Sequence, residues 1–532
     1  MSKELALGLD SRVAGLNDQF TNYVKLSGQQ YTEVEYTPDG SDFSSQIQWQ
    51  SIVPVGSITS TVMSRVISMR YNISVGITPA AQNAITAVLP NTKSVLDTAG
   101  VNAGLRAFPL QSVSDTVQVY INNSCTTWNS RITLPNLLRS LKLEELKSLA
   151  CPSRPDNACM LLPANGYACQ PLSLDNQSNE GFSRNSIRPI SVVANGNQTV
   201  YTFQIEENLI VPGINSLYGN ECFLPNVNNL SVMLNYSSLS DVVSYSALPT
   251  PINSTLAVVV SQPKLVLRFL QLDPNLVKIP RSYITNYENM NWFYSSQTQA
   301  VANTVANVSY TITSDTFRLT SVPKLIMFSL RPSMATRTQA TPDCAMALDN
   351  LAPVSINFGN RSGLLANANS AELYRMAKQN GSNQSFYDWQ KGAGAYVVLD
   401  PVKDFGLNPE VDGLPGESNS LNLQITAKFN NQNLFTNQIV VDDAGVCPSF
   451  FSANSTWQMI VMVIYSGQMT ITPDQCIYST QTLTAGEVKS LVDGKSPMST
   501  EAINKTMDGK GLYSEKTVFH KTKGKGGVLS SA

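Results

Sequence analysis

From about residue 46 onward the chain is built of short runs in which apolar side chains alternate with polar ones or gather into β-branched clusters. This is the period-two signature of strands that face a core on one side. The runs at 46–55 and 66–77 (VISMRYNISVGI) carry it first, followed by 116–122, 199–211, 229–236 and 255–272. β-Branched and aromatic side chains suit a pleated, half-buried surface, so these runs predict a β domain. The segment LDPNLVKIPR at 272–281 then reads as a linker because of its two prolines. Similar runs resume at 303–313, 323–331, 353–358, 421–429, 456–465 and 468–478. Two β domains are therefore predicted, over 45–272 and 273–488.

Ahead of them, Leu5, Leu9, Val13, Leu16, Phe20 and Val24 recur every three or four positions, which predicts a short helix in an arm spanning 1–44. Behind them, 489–532 loses the strand pattern and becomes a Lys-, Gly- and Ser-rich tail.

The halves share a layout. VQVYINN (117–123) leads to LPNLLRSLKLEELKSL (134–149), where Leu137, Leu138, Leu141, Leu146 and Leu149 form an apolar helical stripe. VSINFGN (354–360), with the same Ile-Asn step, leads to SAELYRMAKQNG, with Ser370 as expected N-cap and Gly381 past the helix end. NLSVMLNYS and TWQMIVMVIYSG follow at a comparable remove, an offset of roughly 230 residues that predicts a structural duplication. The expected fold class is all-β: two consecutive jelly-roll sandwiches (a double jelly roll), with short helices in strand connections and long surface loops at 156–196 and 380–420.

Composition narrows what such a molecule does. With 532 residues, 42% of them hydrophobic, the chain can bury a large core. Only 14% are charged, against about 25% in ordinary soluble domains. The formal net charge of -2 supplies no global basic field for nucleic acid. No secretion signal is read at the N-terminus, and no run of about 18 apolar residues predicts a membrane span. Eight cysteines (Cys125, Cys151, Cys159, Cys169, Cys222, Cys344, Cys447 and Cys476) occur without a CxxC pair, as expected of free structural thiols.

Catalytic groups are scarce. The single histidine, His520, sits in the tail, so a histidine-based triad or metal site is not expected, and no phosphate loop is present. Adjacent acids at Glu144 and Glu145, Glu206 and Glu207, and Asp442 and Asp443 do not converge on one point and read as solvated surface. No catalytic residue, metal site or cofactor is assigned. Lys516, Lys521, Lys523 and Lys525, against one acid in 515–525, mark a candidate electrostatic arm touching the genome, an inner membrane or a neighbouring subunit.

Four fragments together carry a family resemblance: IQWQSIVPVGSITSTVMSRVISMRYNISVGI, AFPLQSVSDTVQVYINNSCTTWN with the following helix and CPSRPDN, SQPKLVLRFLQLDP, and VPKLIMFSLRP with PVSINFGNRSGLLA. With them the chain resembles double jelly-roll major capsid proteins of Polinton-like viruses, virophages and related icosahedral DNA viruses. The resemblance implies two jelly rolls per chain, homotrimeric pseudo-hexagonal capsomers, and an icosahedral shell whose partners are neighbouring capsomers, penton proteins and minor capsid proteins. It also implies a virion location for a protein made inside the host cell, and it names no host receptor. Two other readings stay open on the sequence: a minor capsid, spike or receptor-binding virion protein, and a β-sandwich carbohydrate-active enzyme using a carboxylate pair from distant strands.

Overall fold

The computed structural model describes residues 7–9, 23–25, 32–52, 60–77, 103–106, 108–140, 190–195, 198–211, 223–245, 256–272, 279–301, 305, 307–336, 345–391, 394–407, 421–436 and 455–480. Its strands open with β1 (Leu7–Leu9) and β2 (Tyr23–Lys25), which pair antiparallel. The stretch read as an amphipathic helix is therefore strand where it is described. Pairing between segments distant in the chain overrides the local three-four spacing there.

The first half continues with β3 (Thr32–Tyr36), β4 (Gln46–Ile52), β5 (Thr61–Met63), β6 (Ile67–Ile77) and β7 (Ala103–Leu105). Next come helix α1 (Pro109–Val113), β8 (Ser114–Ile121), β9 (Ser124–Trp128) and helix α2 (Ser130–Ser140). β10 (Ser191–Asn195), β11 (Gln198–Leu209), β12 (Leu230–Tyr236), β13 (Val243–Tyr245) and β14 (Leu256–Gln271) complete it. The second half holds β15 (Tyr283–Val301), β16 (Ser309–Thr313), β17 (Phe317–Leu319), β18 (Leu325–Pro332), β19 (Ala347–Leu348), β20 (Val354–Phe358) and β21 (Arg361–Leu364). Helices α3 (Ser370–Gln379) and α4 (Phe386–Lys391), β22 (Val397–Leu399) and helix α5 (Pro401–Phe405) follow. The half closes with β23 (Leu421–Asn430), helix α6 (Gln432–Thr436), β24 (Ser455–Ile471) and β25 (Cys476–Thr480).

Each half is built on two main antiparallel sheets, and the first adds the two-stranded pairs β1-β2 and β7-β13. In the first, the order β10-β11-β6-β14-β3, with β5 also on β14, faces β4-β12-β8-β9. In the second, β22-β18-β24-β15, with β25 on β24, faces β16-β23-β20-β21, with β17 and β19 on β23. Taken in chain order, β3, β4, β6, β8, β9, β11, β12 and β14 map one to one onto β15, β16, β18, β20, β21, β22, β23 and β24, with the same neighbours. This is the eight-strand, two-sheet order of a jelly roll, made twice. Alternation builds the cores: Leu230, Val232, Leu234 and Tyr236 of β12 are buried, as are Leu421, Leu423, Ile425, Ala427 and Phe429 of β23. Each full burial of a large apolar side chain of this kind is worth about 1.5–3 kcal/mol.

The topology corrects several sequence readings. NLSVMLNYS is β12, whose counterpart is β23; TWQMIVMVIYSG is β24, whose counterpart is β14. The shared Ile-Asn step is likewise not the equivalence, because Ile121 ends β8 whereas Phe358 ends β20. β3 lies within the stretch assigned to the arm, yet it pairs along β14 from Thr32 to Tyr36. The runs at 456–465 and 468–478 are one long strand, β24, and its partner β25.

The helices shift slightly. α2 begins at Ser130, where the Asn129 carboxamide oxygen accepts from the Ile132 amide at 3.1 Å. Leu137 and Leu138 of its stripe are buried, while Leu141, Leu146 and Leu149 lie outside the described residues. The cap of α3 is Asn369, not Ser370: Asn369 Oδ1 accepts from the Glu372 amide and Glu372 Oε2 accepts from the Asn369 amide, both at 2.9 Å. Asparagine fills this reciprocal box with its side chain while its backbone stays extended, which leaves Ser370 as the first helical residue.

Candidate functional site: the joint between the sandwiches

The expected electrostatic arm, Lys516, Lys521, Lys523 and Lys525, lies outside the described residues, as do His520, Glu144, Glu145, Asp442 and Asp443. Of the cysteines, the structure describes Cys125, exposed on β9, and Cys476, buried in β25; both are free. Burial pushes the Cys476 thiol up to about 11, so it stays protonated and inert at neutral pH. Among the described residues no group of three or more His, Cys, Asp or Glu could hold a metal ion.

The pair Glu206 and Glu207 divides between two environments. Glu206 is half-buried on the outer face, 2.9 Å from Arg70 Nε. Glu207 is fully buried, contrary to its reading as solvated surface. Successive strand residues face opposite sides, so one acid of the pair had to enter the sandwich. Desolvation pushes its carboxyl up to about 8, against the opposing pull of Tyr71 and the backbone amides of Gln111 and Leu110. At neutral pH it is therefore held mainly as the neutral acid.

Buried polar chemistry concentrates between the sandwiches. All eight residues of β18 are buried, as are Trp457 and the run Met459–Tyr465 of β24, with Gln458 half-buried between them. Alternation puts Leu325, Met327, Ser329 and Arg331 on one face of β18, paired across the ladder with Ile464, Met462, Ile460 and Gln458 of β24. That face meets α2 of the first sandwich. Arg331 Nη1 donates to the Ile132 carbonyl at 2.8 Å, and Ser329 Oγ lies 3.1 Å from Asn136 Oδ1.

The end of α2 is also completed from the other half. A helix leaves its last four carbonyls without internal donors. The Asn383 side chain donates to Leu138 O at 2.7 Å and its backbone amide donates to Arg139 O at 2.9 Å. The Arg139 guanidinium lies 5.3 Å from the Tyr396 ring centre, a cation–π contact. α2 thus belongs structurally to both sandwiches.

The connection between the halves is fastened too. Val62, Phe223, Leu270, Leu272 and Tyr283 form a small apolar cluster with Ile279 against it. The larger core cluster is continuous, running from Ile47 in the first sandwich to Cys476 in the second. Linked domains usually meet through modest, polar contacts that permit motion; a shared apolar core with hydrogen-bonded seams holds one orientation. What this site can do is mechanical: it presents two like sandwiches at a fixed angle. The sequence signal for it was the apolar runs at 325–328 and 459–465, which do not alternate and so mark strands buried on both faces.

Known structures share this architecture. A chain of the Sputnik virophage cryo-EM structure superposes with a TM-score of 0.66 at 21% identity, covering 89% of this chain and 92% of that one. The crystal structure of the mavirus major capsid protein gives 0.59 at 14% identity, covering 86% and 92%. By fold, the molecule is a double jelly roll.

Sequence comparison carries this further. A family model described as the Sputnik virophage major capsid protein 1st domain matches residues 6–211, and one described as the major capsid protein V20 C-terminal domain matches 293–467. The putative capsid protein V20 of Sputnik virophage is 25% identical over 462 residues, 78% of this chain and 73% of that protein. The chain belongs with the major capsid proteins of the virophage type, with a structural role in the virion shell.

Proposed function

We propose that three copies of the chain assemble into a pseudo-hexagonal capsomer, and that capsomers tile an icosahedral shell. The observation that carries this reading is the repetition of one strand order in two sandwiches held by a shared core. A closed threefold oligomer of such chains presents six similar edges, so one gene product can occupy sixfold positions in a lattice. The low proportion of charged residues suits a lattice of many weak contacts. In this reading the protein performs no catalytic step and needs no cofactor.

The domain division at 272/273, an arm that ends ahead of β3 and the tail at 489–532 belong to the same proposal. Neighbouring capsomers, penton proteins and minor capsid proteins are the partners, and Lys516, Lys521, Lys523 and Lys525 reach the genome or an inner membrane. The test is light scattering with negative-stain imaging of the purified chain. Compact trimers of hexagonal outline are expected; a chain that stays monomeric at high concentration overturns the reading. Deleting 514–532 is expected to leave the trimer intact while impairing particle assembly or genome retention.

A further inference from the structure

The turn between β8 and β9 contains an internal control, because the turn between β20 and β21 is its topological equivalent. Both connections are two residues long: Asn122–Asn123 in the first sandwich and Gly359–Asn360 in the second. The leading residue is left-handed in both, with φ 52° at Asn122 and 56° at Gly359. Glycine adopts that conformation without steric cost, whereas a residue with a Cβ is strained there. The second sandwich uses glycine, in an exposed position. The first keeps an asparagine and buries it to 7% exposure.

Both ends of that side-chain amide are occupied. Nδ2 donates to Asn226 O at 3.0 Å within its own sandwich and to Thr472 O of the second at 2.7 Å. Oδ1 accepts from the backbone amides of Asn228 at 2.8 Å and Asn229 at 3.3 Å. Asn226 repeats the device: it too is left-handed, with φ 60°, and buried to 3%. Its Nδ2 lies 2.9 Å from Pro280 O, 3.3 Å from Arg281 O and 3.4 Å from Ile471 O. Asn228 Nδ2 reaches Pro473 O at 2.5 Å and Asn123 Nδ2 reaches Asp474 O at 3.2 Å. Four carboxamides of the first sandwich therefore seize backbone carbonyls of the second at 280–281 and 471–474.

We infer that Asn122, Asn226, Asn228 and Asn123 form an asparagine clasp, and that these positioning residues set the orientation of the second jelly roll relative to the first. Side-chain amides aimed at main-chain carbonyls specify position rather than residue identity, which suits a register pin. The strained backbone at Asn122 and Asn226 persists because the surrounding contacts over-determine it. The inference bears on the capsomer reading only through assembly; the clasp itself is a property of one chain.

The test is Asn122→Gly with Asn226→Gly in the full-length chain, since glycine relieves the turn while deleting the amides. Two readouts report on the joint: trypsin cleavage after Arg281, whose carbonyl Asn226 covers, and the number of unfolding transitions by calorimetry. Cleavage is expected to rise about tenfold or more, because proteolysis follows the population of the opened form. The melt is expected to separate into two transitions while far-UV circular dichroism stays β-rich. Gly359→Asn, at the exposed equivalent, is expected to leave both readouts unchanged.

A second pair, Asn123→Ala with Asn228→Ala, removes two clasp amides without altering a left-handed residue, and decides alone if the glycine pair does not fold. Its cleavage is expected to rise severalfold. One transition and wild-type cleavage in the folded variants overturn the clasp. Oligomeric state separates the two proposals: a monomeric wild type removes the capsomer reading, whereas variants that open while the wild type is trimeric or monomeric support the clasp either way.

Discussion

The sheet containing β6 and β14 and the sheet containing β18 and β24 occupy the same place in the two jelly rolls, yet they meet different surroundings. In the first, the outer face carries a lattice of charges. Arg70 lies 2.8 Å from Glu33, 2.7 Å from Glu35 and 2.9 Å from Glu206, while Lys264 reaches Glu35 at 2.5 Å and Arg268 reaches Glu33 at 3.2 Å. In the second, β18 is buried on both faces because the outer one receives α2, and the polar side chains there, Ser329 and Arg331, reach α2 rather than water. One strand order thus serves two environments, and the outward-facing positions record which is which. The two halves share the topology and differ in the side chains that face away from each core.

The contrast can be broken most forcefully at Met327, 1% exposed on the joint face of β18. Met327→Asp places an unpaired charge between the sandwiches, so a loss above about 4 kcal/mol and little soluble chain are expected in expression trials. Phe328→Ala, on the inner face of the same strand, leaves a cavity and is expected to cost about 3–5 kcal/mol by urea denaturation. Similar losses at the two positions would establish that both faces of β18 are core.

Glu207 sharpens the comparison from inside the first sandwich. Its folded pKa of about 8 lies above the ordinary 4.5, so between those values the folded state retains a proton that the unfolded chain releases. Stability attributable to this group is full below about pH 4.5, falls as pH rises through that window and levels off above about pH 8. Glu207→Gln is expected to flatten that dependence and to raise the denaturation midpoint at pH 8, by an amount equivalent to a few kcal/mol. Parallel pH profiles for wild type and variant would remove the assignment.

The smallest effect is expected on the charged outer face. Arg70→Met should cost about 1 kcal/mol or less at low salt, and the difference should shrink in about 1 M salt, because exposed ion pairs are weak and screened. A loss comparable to that of Met327→Asp would mean that the outer face of the first sandwich contributes as much to folding as that of the second.

The contrast was partly legible in the sequence. ISMRYNISVGI in β6 alternates, and Arg70, Asn72 and Ser74 indeed face outward, whereas QMIVMVIY in β24 does not alternate and is buried almost throughout. β15 escaped notice altogether. It carries Asn, Ser and Gln at many positions, yet it pairs with β24 from Tyr283 to Val301. An edge strand is held by backbone hydrogen bonds as much as by apolar side chains, so hydropathy underreports it. The asparagine contacts across the joint were invisible, since Asn122 and Thr472 are brought together only by folding.

Local pattern was enough to establish a β-rich chain in two halves, strands with one face on a core, and a helix after a strand in each half. Side-chain periodicity directly records how many faces of an element leave water. Tertiary structure alone decided that β12 corresponds to β23, that Glu207 rather than Glu206 turns inward, that Asn369 caps α3, and that four asparagines bind the sandwiches together. Those outcomes depend on partners far apart in the chain, whose identities no local period encodes.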